Sequence, residues 1–308
     1  SGTYCGGVRV DGHVLIDESV DNSFHLKFND TSSNAAIGKD SLIGKIADAT
    51  GGLPIYNTTD DYGEVKGSGY RADSHKANLM FAMTGEGSIA DVSHVSDLRN
   101  SGSAKTITVS GSNAVTTDSS RFYGSSVSFD KNADVIVVDG GSDFEFGTGD
   151  FTIEFWVNVT GSETAEYPGF LQMSDDSNGL KASNSNTIAI YMYNAAGKLY
   201  CADGSHTGAH AHEWNSGWHH WACCRTGGNT KLYIDGRNIL TVSDSRDYGT
   251  RYLALGAYYS TSYEFEGYMQ DLRIYKGVAK YTANFKPPTR NDWTVNNLTE
   301  SATDTTEF

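Results

Sequence analysis

The stretch Phe151-Thr152-Ile153-Glu154-Phe155-Trp156-Val157-Asn158-Val159 decides the fold. Phe151, Ile153, Phe155, Val157 and Val159 share one face of an extended chain, and Thr152, Glu154 and Asn158 share the other. Side chains along a strand alternate with a period of two, so this pattern predicts a half-buried strand. Its apolar side faces a core. Its polar side is expected to meet water or a neighbouring segment.

Segments of similar character lie on either side. Upstream are Leu79 to Met83, Lys105 to Val109, Ser120 to Gly124 and Ser126-Val127-Ser128-Phe129-Asp130. Downstream are Trp218-His219-His220-Trp221-Ala222, Lys231 to Arg237 and Gly267 to Ala279. Phe151, Ile153, Phe155, Leu232 and Ile234 are the expected core. Tyr281 to Pro288 closes the domain, its two prolines ending regular pairing. Thirty-four glycines against four prolines, with abundant Ser, Thr, Asn and Asp, predict many tight turns between short strands. No long stretch has a helical period, and Ser41 to Ala49 would form at most a short helix. The fold class is all-β, and the absence of a fixed repeat argues against a solenoid or propeller.

A formal net charge of −15 argues against nucleic-acid binding, which depends on Lys and Arg neutralising phosphates. It suits an exposed surface that repels copies of itself, and it is compatible with cation binding. No apolar run approaches the ~18 residues of a membrane span. Of Cys5, Cys201, Cys223 and Cys224, the adjacent pair would point to opposite faces of a strand, which excludes zinc-type Cys-x-x-Cys spacing. Buried thiols are expected, and a disulfide from Cys201 to Cys223 or Cys224 is compatible with the sequence. The chain begins without Met and ends in a polar tail, as expected of a processed product or a piece of a longer polypeptide.

The chain divides into three parts. Residues 1–78 form an N-terminal arm and linker, 79–290 a single two-sheet sandwich, and 291–308 a polar tail. In the arm, Val8-Arg9-Val10-Asp11-Gly12-His13-Val14-Leu15-Ile16 carries the Asp-Gly signal of a hairpin. Phe24 to Phe28 is another short strand, and Gly51 to His75 has little apolar content to bury. Isolated hairpins are marginal in water, so the arm is expected to dock on the sheet edge of a neighbouring subunit.

In that order, the segments of the sandwich resemble a laminin-G-like domain, the two-sheet antiparallel jelly roll of the concanavalin A-like lectin and glucanase group. The resemblance implies a binding or display module more often than an enzyme. Val10-Asp11-Gly12, Asn22 to Asn29, Gly277 to Thr282 with Phe285-Lys286-Pro287-Pro288, and Asp292 to Thr299 further resemble segments of virion proteins of tailed phages of marine bacteria. That second resemblance implies a place on an extracellular particle rather than an activity.

Retaining glycoside hydrolysis needs two carboxyl groups about 5 Å apart. Glu264 and Glu266 are the only Glu-x-Glu pair in the expected strands, and surface charge is the better reading of them. His210 and His212 would share a strand face at a spacing that suits a transition metal, although His-x-His alone is a weak motif. His219 and His220, between Trp218 and Trp221, read as core or half-buried histidines. Laminin-G-like domains often hold calcium at the rim through Asp and Asn. Calcium takes six to eight oxygens, and Asp175, Asp176 and Asn178 form the richest such loop, with Asp139-Gly140-Gly141-Ser142-Asp143 second. Trp214, Tyr258, Tyr259 and Tyr263 flank turn-rich segments, where aromatic rings would stack on sugars or pack between subunits.

The expected protein is therefore non-enzymatic: a phage head-decoration, fibre or tail-associated component displaying a lectin-like domain. Its partners would be host-surface glycans or other virion proteins, in a multi-copy or homo-oligomeric assembly, with no cofactor required and with the loop at 175–178 as the place where a calcium ion would bind. The rivals are a glucanase-like enzyme and a secreted bacterial adhesion module.

Overall fold

The computed structural model describes residues 8–10 and 13–15, and residues 73–288 apart from 96–97, 162–166, 182–186, 194–195, 202–203 and 212–216. The chain forms two compact units, one of residues 72–290 and one of residues 1–71 with 291–308. In the latter, β1 (Val8–Val10) pairs antiparallel with β2 (His13–Leu15), and Val10 lies opposite His13, as the Asp11-Gly12 turn predicts. The expected short helix at 41–49, the strand at 24–28 and the tail lie outside the described residues.

The larger unit contains, in chain order, β3 (Leu79–Met83), β4 (Thr106–Val109), β5 (Ala114–Thr116), β6 (Ser126–Asp130), β7 (Ile136–Asp139) and β8 (Phe151–Val159). There follow β9 (Gly169–Ser174), β10 (Ile188–Tyr193), β11 (Ala196–Cys201), β12 (Gly204–Ala211), β13 (Trp218–Thr226), β14 (Asn229–Ile234) and β15 (Arg237–Ser243). The last are β16 (Tyr252–Leu255), β17 (Ala257–Tyr258), β18 (Ser260–Glu264) and β19 (Glu266–Lys276). One sheet has the order β15-β14-β13-β8-β19-β6-β5, with β3 also paired to β19. The opposing sheet has the order β12-β11-β10-β9-β16-β7-β4, and the β17–β18 hairpin joins it at β9. The result is an all-β, two-sheet antiparallel jelly roll.

The core lies between the sheets. On β8, Phe151, Ile153 and Phe155 are fully buried, and Leu232 and Ile234 of β14 join them. From the opposing sheet come Leu171, Met173, Ile188, Ile190, Met192, Leu253 and Leu255. Phe155 sits edge-on to Phe170, ring centres 5.9 Å apart, and is stacked against Trp221.

The other face of β8 meets a neighbour, not water. Residues 277–288 run across it, so that Thr152 and Glu154 are fully buried as well. Thr152 Oγ1 donates to the carbonyl of Val278 at 3.0 Å, and Tyr281 stacks on Phe285 with centroids 3.5 Å apart. His220, on the same face, is buried with Nε2 3.5 Å from Glu154 Oε2, while half-buried His219 contacts Asp235 at 2.7 Å. The expectation of a strand at Ser120 to Gly124 is corrected: the segment is a bend. Its amide groups at Arg121 and Phe122 both donate to Gln270 Oε1, at 3.0 and 2.8 Å, which satisfies them without a ladder.

Cys223 faces the core and Cys224 the opposite side, beside Tyr233, as their adjacency predicts. Cys201, Cys223 and Cys224 are buried and form no disulfide with one another. Burial pushes the Cys223 thiol well up and Cys224 up to about 12.

Candidate ligand-binding surface

The most chemically distinctive surface is on the outer face of the β12–β4 sheet. β10 alternates, so Ile188, Ile190 and Met192 enter the core while Tyr191 and Tyr193 project outward. Tyr258 lies flat on Tyr191, with ring centroids 4.0 Å apart and planes 5° from parallel. Tyr167 lies flat on Tyr193 at 4.4 Å. Tyr263 joins the two stacks, edge-on to Tyr167 at 5.5 Å and 6.5 Å from Tyr258. Tyr259 completes the group 6.0 Å from both Tyr258 and Tyr263. Tyr191 is the floor at 1% exposure, and Tyr259 is the apex at 41%.

The backbone shows how this arrangement is held. Tyr259 has φ +66°, a left-handed conformation that a bulky residue seldom adopts. Its N–H donates to Oε1 of fully buried Gln172 at 2.8 Å. The same amide side chain donates from Nε2 to the carbonyl of Lys181 at 2.9 Å. Gln172 thus ties the Tyr258-Tyr259 turn to the loop after β9. Gly169 permits the approach, because a Cβ there would lie 2.1 Å from the backbone nitrogen of Tyr258.

In each stack one face of each ring is covered by its partner. Tyr259 is the exposed member of the group, at 41%. Burial pushes the phenol pKa of Tyr191 up, and that of Tyr258 far up with help from neighbouring Tyr191. Partial desolvation beside Tyr193 raises Tyr167 too. These groups stay neutral, and a neutral phenol both donates and accepts hydrogen bonds. Tyr191 already shares one with Ser205 Oγ at 2.5 Å. Lys198 adds a positive charge 5.3 Å from the centre of Tyr193.

Of the residues anticipated as a sugar platform, Tyr258, Tyr259 and Tyr263 come together here, while Trp214 lies outside the described residues. Tyr167, Tyr191 and Tyr193 were missed. The signal for two of them was present, since Tyr191-x-Tyr193 is the outward half of an alternating strand. Tyr167 had no such signal, because only the fold brings it to Tyr193.

Asp175, Asp176 and Asn178 share an exposed turn after β9. Asp175 pairs with the ammonium of Lys181. Asp176 Oδ1 accepts the N–H of Asn178 at 3.2 Å, and Asn178 Oδ1 accepts that of Leu180 at 2.8 Å. In the second acidic loop, Asp139 faces Arg251 at 3.2 Å and Asp143 faces Lys105 at 2.8 Å. Among the described residues, no three His, Cys, Asp or Glu side chains are grouped to hold a metal ion. The side chains of His210 and His212 lie outside the described residues.

Glu264 and Glu266 straddle the crossover between the sheets. Glu264 ends β18 in one sheet, Glu266 begins β19 in the other, and Phe265 between them is buried in the core. Glu264 is 5% exposed and its Oε2 accepts the N–H of Ala133 at 3.2 Å, while Glu266 is exposed. Burial, and then the nearby Asp134 and Asp130, hold the Glu264 carboxyl above the usual range.

Residues 129–280 match the laminin G family model described as the concanavalin A-like lectin/glucanases superfamily. This part of the chain is thus similar to concanavalin A-like lectin/glucanase domains. Among solved structures, the jelly roll is similar to the binding domain of botulinum neurotoxin serotype D, with TM-score 0.51 and 12% identity over 67% of this chain and 50% of that one. It is also similar to domain 4 of AbnA, an extracellular arabinanase from Geobacillus stearothermophilus, solved in complex with arabinotriose. There the TM-score is 0.45 and the identity 18%, over 73% of this chain and 98% of that one. The chain spans about half the length of the toxin binding domains it matches. No curated protein matches it. No helix among the described residues is long and apolar enough to cross a membrane.

Proposed function

We propose that this protein is a non-catalytic carbohydrate-binding module, and that its glycan docks on the surface formed by Tyr167, Tyr191, Tyr193, Tyr258, Tyr259 and Tyr263. The observation that carries the reading is Tyr259, a large aromatic residue held open to solvent in a left-handed conformation by a buried glutamine. Strained backbone of this kind persists where surrounding structure enforces it, and it clusters at ligand sites. A pyranose offers C–H groups to the Tyr259 face and hydroxyls to the phenol edges around it. Aromatic contacts of this size contribute about 0.5–1.5 kcal/mol each, so affinity at one site is modest.

Modest affinity suits display in many copies, where avidity multiplies it. The resemblance of segments flanking and closing the domain to phage virion proteins supports a place on such a particle, as a head decoration, fibre or tail-associated adhesin. Mass spectrometry of purified particles tests that part of the proposal: hundreds of copies fit decoration, and a dozen or fewer fit a tail appendage. Glycan-array screening followed by calorimetry tests the site. Tyr259→Ala is expected to weaken binding about tenfold, the equivalent of ~1.4 kcal/mol, whereas Tyr259→Phe retains most of it. A ligand whose affinity ignores Tyr259 and Tyr263 would refute the assignment.

A further inference from the structure

The two ends of the jelly-roll unit meet at one buried amine. Asp73 stands at the start of the unit of residues 72–290, before β3, and Lys280 stands in the segment that follows β19. The ammonium nitrogen of Lys280 lies 2.7 Å from Oδ2 of Asp73 and 2.6 Å from Oε1 of Glu154. The side chains of Lys280, Asp73 and Glu154 are 7%, 2% and 0% exposed. Neighbours fix each of them. The Lys280 N–H donates to Thr152 Oγ1 at 2.9 Å, and the Tyr281 hydroxyl donates to Glu154 Oε2 at 2.6 Å. The ring centre of Tyr275 is 4.3 Å from the amine, and its hydroxyl donates to Asp73 Oδ2.

This site holds more than an ion pair needs, because one nitrogen touches two carboxyl groups whose surroundings differ. Asp73 Oδ1 accepts the N–H of His75 at 2.7 Å, and Arg273 Nη1 lies 3.7 Å from Oδ2. Both stabilise negative charge that develops on the Asp73 oxygens when its carbon is attacked. Glu154 has no such guanidinium within the listed distance of its oxygens; Tyr281 and His220 flank its Oε2. In a site closed to water, passing a proton from an ammonium to an adjoining carboxylate turns two charges into two neutral groups, which burial favours. The carboxyl carbon of Asp73 is one C–O bond, about 1.2 Å, beyond Oδ2, so the nitrogen is within about 4 Å of it. Reacting atoms in a near-attack arrangement stand about 3–3.5 Å apart.

We infer that Lys280 and Asp73 condense to an intramolecular isopeptide bond, with Glu154 as the proton carrier. Glu154 takes one proton from the ammonium, and the freed amine attacks Cγ of Asp73. The Nζ–Cγ bond forms and the Cγ–Oδ2 bond breaks. Of the three ammonium protons, one stays on the amide nitrogen and two leave with Oδ2 as water. One of those two travels through Glu154, which ends as the carboxylate it began as. No oxidant, reductant or cofactor enters, and the ion pair is the unreacted state. The product joins the residue before β3 to the segment after β19. Tension between the two ends of the unit then passes through the bond and not through the sheets.

Intact mass spectrometry of the folded, full-length chain tests this. The wild-type mass is expected to fall short of the sequence mass by one water, and a protease digest should yield a branched peptide joining Asp73 to Lys280. Lys280→Arg keeps a cation in the site but has no amine to condense. It is expected to fold with the circular dichroism of the wild type, to keep its full sequence mass and to run differently from the wild type on a denaturing gel. Glu154→Gln is expected to keep its full mass as well, because the proton carrier is gone. A folded wild-type chain at full sequence mass would overturn the inference. So would a loss of water that persists in Lys280→Arg, which would place the dehydration at an aspartyl succinimide elsewhere, or a branched peptide that joins Lys280 to Glu154. Condensation that proceeds in Glu154→Gln would overturn the role given to Glu154.

Discussion

Lys280 places its ammonium 2.6 Å from Oε1 of Glu154, a carboxylate with no solvent exposure at the centre of the β15–β5 sheet. The same nitrogen lies 2.7 Å from Asp73, and the rings of Tyr275 and Tyr281 flank it. One cation thus ties the segment after β19, the residues before β3 and the middle of β8 together. Removing one partner of a buried pair leaves an uncompensated charge, which typically costs about 3–5 kcal/mol. Lys280→Met is expected to lose that much in urea unfolding. A loss under about 1 kcal/mol would show that the closing segment is peripheral.

Phe155 contacts Phe170 and Trp221 from the opposing sheet and from its own. Phe155→Ala should destabilise by about 3–5 kcal/mol, the usual range for a large aromatic residue deleted from a core. The midpoint of chemical denaturation should fall with its slope unchanged.

Tyr259 predicts opposite changes in stability and binding. Left-handed backbone costs a non-glycine residue roughly 1–2 kcal/mol, and glycine removes this at some entropic expense in the unfolded chain. Tyr259→Gly is expected to be neutral to slightly stabilising in thermal melts while glycan affinity falls. A clear loss of stability would mean that the ring serves packing instead.

Glu264 sets a pH dependence. Burial raises its folded pKa, so the native state holds the proton more tightly than the unfolded chain does. Its contribution therefore diminishes stability as pH rises from the ordinary glutamate value to the raised one. Glu264→Gln should equal wild type below that window and exceed it at neutral pH. No reducing ends should appear when the wild-type protein is incubated with algal or bacterial polysaccharides. Hydrolysis abolished by Glu264→Gln or Glu266→Gln would replace the binding reading with a glucanase.

Glycan binding in this reading involves no metal, and the ammonium of Lys181 already pairs with Asp175. EDTA and added calcium are both expected to leave the melting temperature and glycan affinity unchanged. A calcium-dependent rise in melting temperature that disappears in Asp176→Ala would instead assign a cation to the 175–178 turn.

The sequence by itself determined the class of fold and much of the core. Alternation at 151–159 specifies a strand, and its apolar face must be buried because water exclusion favours it. Leu79 to Met83 and the Asp11-Gly12 hairpin were legible for the same local reasons. Tertiary structure decided what local pattern does not encode. Glu154 reads as a polar alternate that meets either water or a neighbour, and it is the return of residues 277–288 that buries it beside Lys280, more than a hundred residues away in the chain. Ser120 to Gly124 reads as a strand, yet a single glutamine side chain takes over its amide groups. Tyr167 joins Tyr193 and Tyr258 joins Tyr191 only because β9, β10 and β17 are adjacent in one sheet. Periodicity reports which side of a strand is apolar; which distant segment covers the other side depends on strand order, a property of the whole chain.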